Sequence, residues 1–237
     1  MKIALIGYGK MGRLIEEMAL AKGHQITARF SRQLGTLPEK KQDLAQADIA
    51  LDFSHAAGVI PHLELCLLAH KPLVIGTTGW EEQYGHAQEM VKKAKGSCLY
   101  APNFSIGIYL FQHIVAYTAS LLQPFNEYDV CGIECHHRQK LDAPSGTAKA
   151  LSQNLLHHMP RLKNFSFSSV RCGSMPGTHT LHFESSVDTL TLTHQAYNRQ
   201  GFAQGALLAA EWLLNREGFF SIDDMMRDHL GDNPPCN

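Results

Sequence analysis

The chain has 237 residues, 44% hydrophobic and 18% charged, an ordinary balance for a globular protein with a sizeable core in one large or two modest domains. Its 21 lysines and arginines against 22 aspartates and glutamates leave a net charge of −1, which gives no footprint for nucleic acid or a membrane surface. No apolar run approaches the roughly 18 residues of a membrane span, and six cysteines without C-x-x-C spacing (Cys66, Cys98, Cys131, Cys135, Cys172, Cys236), with no signal-like segment ahead of Ile3, predict free thiols and a cytoplasmic protein.

Residues 2–6 read as a short buried strand that ends in Gly7-Tyr8-Gly9-Lys10-Met11-Gly12. Met11, Leu14, Ile15, Met18 and Ala19 then recur at helical spacing, and Gly23 closes that helix. Strands are expected at 25–30, 49–53, 73–75 and 98–101, with helices through Leu63–Leu68 and from Glu81 to Lys95. Strands alternating with helices imply a parallel, doubly wound sheet. After Asn103 the pattern changes. A long apolar helix is expected at 106–122, strands at 128–134, 165–171, 180–184 and 189–194, and a helix from Ala148 to Met159. The alternation Thr189-Leu190-Thr191-Leu192-Thr193 suits an antiparallel strand with one solvated or partner-covered face. Helices at 202–214 and 222–230 close the chain before a loose tail carrying Pro234-Pro235. The expected class is therefore α/β, a Rossmann-type parallel-sheet domain at 1–104 plus an α+β domain at 105–199 with a mixed, largely open sheet.

Gly7-x-Gly9-x-x-Gly12 stands between a strand and a helix, the context a dinucleotide site requires. The first glycine permits the tight turn, the second lets a pyrophosphate approach the backbone, and the third lets helix and strand pack closely. An NAD enzyme usually carries a carboxylate near the end of the second strand for the ribose 2′-OH. Here the stretch is Arg29-Phe30-Ser31-Arg32, which offers a hydroxyl and a planar guanidinium suited to a 2′-phosphate. NADPH is the expected cofactor, with NADH also accepted. Gly76-Thr77-Thr78-Gly79 falls at the C-terminal edge of the fourth strand, where ligands of open α/β sheets bind.

The run Glu134–Thr147, ECHHRQKLDAPSGT, packs His136, His137, Arg138 and Lys140 into five residues ahead of Pro144-Ser145-Gly146-Thr147 and a helix start. Hydroxyls and backbone N–H groups at a helix start form an anion site. Beside it, His136 and His137 can donate a proton near neutral pH, and Lys140 can donate one or bind an anion. Arg138 and Asp142 read as loop or interface charges. A zinc site on Cys135, His136 and His137 is disfavoured, because adjacent residues are poorly placed around one tetrahedral ion. Ser145 lacks the G-x-S-x-G setting of a hydrolase nucleophile.

This run resembles the signature of the 4-hydroxy-tetrahydrodipicolinate reductase (dihydrodipicolinate reductase) family. Further blocks are similar in family order: Asp52-Phe53-Ser54, Gly76–Gly79, Ala101-Pro102-Asn103-Phe104-Ser105-Ile106-Gly107, Arg171-x-Gly173-x-x-Pro176-Gly177-x-His179 and Arg199-x-x-Phe202-Ala203-x-Gly205-Ala206. The resemblance implies an NAD(P)H-dependent oxidoreductase of the diaminopimelate route to lysine, acting on a small cyclic dicarboxylate. It implies His136 and Lys140 as proton donors, and His137, Lys140, Ser145, Gly146 and Thr147 as carboxylate ligands. The cofactor would be held by Gly7, Tyr8, Gly9, Lys10, Met11, Gly12, Ser31 and Arg32, with Gly76, Thr77, Thr78, Ala101, Pro102, Asn103 and Phe104 on the nicotinamide side. It also implies a homotetramer joined through the second-domain sheets, and a C-terminal segment, from about 200 to 237, that packs back on the first domain. Two departures stand out. The glycine loop is one residue shorter than the common family form, with Lys10 in place of an arginine, and position 31 is Ser where many members carry an acidic residue. The alternatives are a catalytically silent NADP-sensing protein, or an amino-acid-type dehydrogenase on the same two-domain plan.

Overall fold

In the computed structural model the described residues are 1–37 and 39–231; the expected tail with Pro234-Pro235, and Cys236, lie outside them. The elements in chain order are β1 (Lys2–Ile6), α1 (Lys10–Ala21), β2 (Gln25–Phe30), β3 (Ile49–Asp52), α2 (Val59–Leu68), β4 (Leu73–Ile75), α3 (Tyr84–Ala94), β5 (Ser97–Tyr100) and α4 (Ile106–Leu122). They continue with β6 (Asp129–His136), α5 (Gly146–His158), β7 (Phe167–Arg171), β8 (Gly177–Glu184), β9 (Thr189–Ala196), α6 (Gln200–Leu213), β10 (Gly218–Ser221) and α7 (Ile222–Leu230). The chain forms two compact units, residues 1–105 with 200–231, and residues 106–199. No helix among the described residues is long and apolar enough to cross a membrane.

The first unit is built on a six-stranded parallel sheet in the order β10-β5-β4-β3-β1-β2. Strands covered on both faces need apolar side chains throughout, and Ile3, Ala4, Leu5, Ile49, Ala50, Leu51, Leu73, Val74 and Ile75 are all buried. The chain runs from β1 outward to β2 and then returns to the other side of β1 as β3. The C-terminal ends of β1 and β3 thus border the point where strand order reverses, the place where such sheets bind ligands. The sixth strand, β10, was not expected from sequence. It is a four-residue run opening on Gly218, too short for periodicity to reveal, and its parallel partner β5 lies far away in the chain. Where a glycine is needed, the reason is space: a Cβ on Gly205 of α6 would stand 1.8 Å from the Phe104 carbonyl oxygen. Gly205 therefore lets α6 lie directly on the backbone that follows β5.

The second unit has a mixed four-stranded sheet, β7-β6-β8-β9, in which β6 and β7 are parallel and the other pairs antiparallel. Helices α4 and α5 pack together, and Phe111, Val115, Ala119, Leu151, Leu155, Phe167, Leu181 and Phe183 form the core between them and the sheet. Strand alternation sends Cys131, Ile133, Val170, Thr191 and Thr193 to the opposite face, where they are exposed. The α/β plan of a parallel dinucleotide-binding sheet plus a mixed sheet is the one the sequence predicts, with several strand ends displaced. Strand β6 extends two residues past Glu134 to His136, and β8 begins at Gly177 rather than Thr180.

Gly205→Ala should lower the thermal midpoint and cost about 1–3 kcal/mol, because overpacking against a fixed carbonyl outweighs the helix-propensity gain. Gly201→Ala on the same helix is the control: its nearest neighbour would be Ser105 Oγ at 3.9 Å. That variant should be neutral or stabilised. Urea denaturation of the two variants beside wild type checks both signs.

Candidate active site

The glycine loop has the close contacts a dinucleotide turn requires. Gly7 has φ +91°, and a Cβ there would lie 2.4 Å from the Phe53 carbonyl oxygen; one on Gly12 would lie 2.3 Å from the Gly7 carbonyl oxygen. Around Gly9 nothing lies within 4 Å of such a Cβ, so the backbone there is open to approach. A cavity of about 300 Å³ is lined by Gly7, Gly9, Phe30, Ser31, Arg32 and Ser54, among others. This concave, partly apolar space beside an exposed helix start suits a nucleotide. Tyr8 is anchored by its hydroxyl to Glu16 on α1, and the Arg13 and Arg29 guanidinium groups lie 5.5 and 5.8 Å from its ring centre. Arg29 is committed to Glu16, which it holds below the usual carboxylate range against the upward push of burial. Among the described residues Arg32 has no ion pair, and it is exposed at the cavity wall. Ser31 Oγ accepts from Leu34 N at 3.1 Å and shapes the turn after β2. Lys10 is exposed and Met11 half-buried in the first turn of α1.

The residues expected on the nicotinamide side do not line that cavity. They gather instead at the ends of β4 and β5, where fully buried Asp52 organises them. Its carboxylate accepts from Ser54 N (2.9 Å), Ser54 Oγ (2.6 Å) and Thr77 Oγ1 (2.9 Å), and His62 Nδ1 lies 2.8 Å away. Phe53 fills the space a Cβ on Gly76 would need, and its ring meets Phe104 at 6.0 Å. Thr77 is buried, Thr78 and Pro102 are exposed, Ala101 is buried, and Asn103 Oδ1 accepts from Ser105 N at 2.8 Å. The sequence reading missed Asp52 and His62 as the frame of this loop, although Asp52 stood in a quoted block.

In the second unit the centre is Glu134, fully buried on β6. Strand register explains its neighbours. Ser169 of β7 and His179 of β8 are its cross-strand partners, while Arg171 pairs with His136. All five project to the helix-covered face. Glu134 Oε1 accepts from Ser169 Oγ (2.7 Å), Arg171 Nη2 (2.7 Å) and Ser145 N (3.1 Å). Its Oε2 lies 3.4 Å from His136 Nδ1 and 3.6 Å from His179 Nε2. Ser145 is the N-cap of α5: its hydroxyl accepts from Ala148 N at 3.1 Å and lies 3.1 Å from His179 Nε2. Ser145 is thus engaged on all sides and 2% exposed, so the accessible rim of the helix start is Gly146, which is exposed, and Thr147, which is half-buried. His137 leaves the strand, donates its N–H to the Met175 carbonyl at 2.8 Å and accepts from Lys140 N at 3.1 Å. Lys140 Nζ lies 2.9 Å from Asp142 Oδ1. The donor atoms of Glu134, His136 and His179 lie within 4.8 Å of one another, but Arg171 already occupies the carboxylate with positive charge, which disfavours a second cation there.

The sequence reading brought together His136, His137, Lys140 and Ser145–Thr147, but not Arg171, Ser169 and His179. The signal was present in alternation: Glu134-x-His136, Ser169-x-Arg171 and Gly177-x-His179 each place two residues on one face. Only the strand register, which sequence does not fix, shows that these faces coincide.

Burial raises the Glu134 carboxyl, but Ser145, Ser169 and Arg171 outweigh it and hold it at about 2. Burial lowers His136, and Lys140 and Arg171 add to that effect against the opposing pull of Glu134. Burial, with His136 beside it, lowers His179 to about 4. A histidine that is harder to protonate in the folded chain stabilises it fully above the ordinary value of 6.5, and that contribution is lost as pH falls toward about 4. For His179 the loss amounts to about 3 kcal/mol. Urea midpoints followed from pH 7.5 down to about 4.5 should fall for wild type and fall less for His179→Gln; parallel curves would show that His179 titrates normally.

Comparison with known proteins accounts for both units. Residues 1–104 match the family model described as dihydrodipicolinate reductase, N-terminus, and residues 107–226 match that for its C-terminus. The chain is 38% identical to the 4-hydroxy-tetrahydrodipicolinate reductase of Christiangramia forsetii, over 96% of this chain and 98% of the relative. It is 34% identical to the enzyme of the same name from Buchnera aphidicola subsp. Schizaphis graminum, over 76% of this chain and 72% of that one. A solved structure of dipicolinate-bound dihydrodipicolinate reductase from Paenisporosarcina sp. TG-14 superposes with a TM-score of 0.74 at 26% identity, covering 93% of this chain and 97% of that one. With a glycine-loop unit and a Glu134-centred unit each matched to its own half of one enzyme, the chain belongs to the dihydrodipicolinate reductase family.

Proposed function

We infer that the chain uses NAD(P)H to reduce 4-hydroxy-tetrahydrodipicolinate (dihydrodipicolinate) to tetrahydrodipicolinate in the diaminopimelate route to lysine. The observation that carries this reading is the grouping of His136, Lys140 and the capped start of α5 around one buried carboxylate, in a chain matched to the family in both halves.

The nicotinamide, when bound, supplies the hydride; everything else falls to the protein's own groups. Gly7, Tyr8, Gly9, Lys10, Met11 and Gly12 receive the pyrophosphate, and Gly76–Thr78 with Ala101–Phe104 hold the nicotinamide side. Ser31 and Arg32 favour NADPH, with NADH also used, since Arg32 stands exposed at the cavity wall with no ion pair among the described residues. His137, Lys140, Gly146 and Thr147 bind the substrate carboxylates, and Ser145 contributes as the cap that holds the helix-start N–H groups in place. His136 and Lys140 are the proton donors. Burial keeps His136 neutral near pH 7, so the Lys140 ammonium carries the proton delivered first and His136 orients and shares it. The exposed sheet face with Ile133, Val170, Thr191 and Thr193 supports a homotetramer joined through these sheets. Nothing in the composition points to nucleic acid or membrane as a partner.

Freshly purified protein should oxidise NADPH only when the product of the synthase that joins pyruvate to aspartate semialdehyde is supplied. No turnover in that coupled assay would sink the reading. In the same assay Lys140→Ala should lose about a hundredfold or more in kcat while still binding NADPH; wild-type rates would remove Lys140 from the chemistry. Calorimetric titration of Arg32→Ala should show NADPH affinity reduced about tenfold and NADH affinity unchanged. Equal affinity of wild type for both cofactors would refute the role given to Arg32.

A further inference from the structure

The segment between β6 and α5 is fastened at two points. Ser145 N donates to Glu134, and one guanidinium nitrogen of Arg171 bridges Glu134 Oε1 and the Asp142 carbonyl oxygen, each at 2.7 Å. With its backbone pinned in this way, Asp142 turns its side chain back to Lys140, Oδ1 to Nζ 2.9 Å, ahead of the first turn of α5. An anion is thus already present between the ammonium and the helix start assigned to the substrate. It belongs to the chain itself.

We propose that the Asp142 carboxylate stands in the place of a substrate carboxylate, paired with Lys140 at the start of α5, and that a dicarboxylate binds by displacing it. This rests on the reductase reading of Lys140, Gly146 and Thr147. Three features support the exchange. The side chains of Lys140 and Asp142 are 24% and 51% exposed, so the pair is reachable and, being solvated, weak. Arg171 holds the Asp142 carbonyl rather than its carboxylate, so release needs only side-chain rotation while the loop stays in place. The Lys140 ammonium, followed by the Asp142 and Gly146 backbone N–H groups, holds the Asp142 carboxyl below its ordinary value, as a cradle built for a carboxylate should. The stand-in keeps the ammonium compensated until substrate arrives, and it sets a threshold. A ligand must offer a better-placed carboxylate than the one in residence, which favours a rigid dicarboxylate over a monoanion.

The sign of one substitution separates this from a merely structural role. If Asp142 is a competitor, Asp142→Asn and Asp142→Ala should each tighten binding of pyridine-2,6-dicarboxylate to the full chain about two- to fivefold, the factor an exposed ion pair converts to. The KM for substrate should fall in proportion, and NADPH affinity should stay unchanged. In a Lys140→Met background Asp142→Asn should give no gain, whereas a diffuse repulsion by the carboxylate would persist there. Unchanged or weaker dicarboxylate binding in both variants, or an equal gain without Lys140, overturns the proposal while leaving the reductase reading intact. Wild type that neither binds the dicarboxylate nor turns over substrate overturns both.

Discussion

The buried carboxylate of Glu134 is the constraint on which the second unit's site depends. Removing a carboxylate from water costs several kcal/mol unless donors and a counter-charge meet it. Here the backbone of Ser145, the hydroxyl of Ser169 and the guanidinium of Arg171 do so at once. The donors come from the α5 N-cap and from β7, so compensating one charge fixes the start of α5, the end of β7 and, through Arg171, the loop at Asp142. The same carboxylate faces His136 and His179. Loss of any one donor would leave the charge under-compensated, and its effect would therefore spread to the others.

Asp52 does the same work in the first unit. It too is fully buried at the C-terminal end of a central strand, and it too gathers backbone and hydroxyl donors from a following turn and a neighbouring strand's loop. Loops that receive polar ligands must keep some N–H and O–H groups unpaired, which makes them poor at holding themselves. A buried carboxylate solves this from below. It binds the donors that face the protein and leaves those facing outward in fixed positions. In both units one buried acidic side chain gives a short loop the rigidity of the sheet beneath it.

This division explains what was legible in the sequence. Gly7-x-Gly9-x-x-Gly12 and His136–Thr147 are contiguous, so their grouping could be read directly. The parallel sheet was legible for the same reason, in strands alternating with helices. β10 was not, because four residues carry no period and their partner is distant. Nor were Arg171 and His179, because they become neighbours of Glu134 only through the pairing of β6 with β7 and β8. Asp142 shows the limit most clearly. By type and spacing it is a loop acid like many others; that Arg171 holds its carbonyl while its carboxylate meets Lys140 is visible only in the fold.

The charge balance of the second unit follows from these contacts. Burial keeps His136 and His179 neutral near pH 7, so they add no positive charge. Arg171 is matched by Glu134, and Lys140 by Asp142. At rest the group sums to zero, which suits a site whose inner members are dehydrated. The two pairs differ in exposure, however. Glu134 cannot leave without stranding Arg171 in the interior, whereas Asp142 can rotate into water at little cost. On the proposed binding mode an arriving dianion finds one positive charge that can be released to it and one that cannot, so it would engage the site at Lys140 and the helix start above an unchanged Glu134 framework.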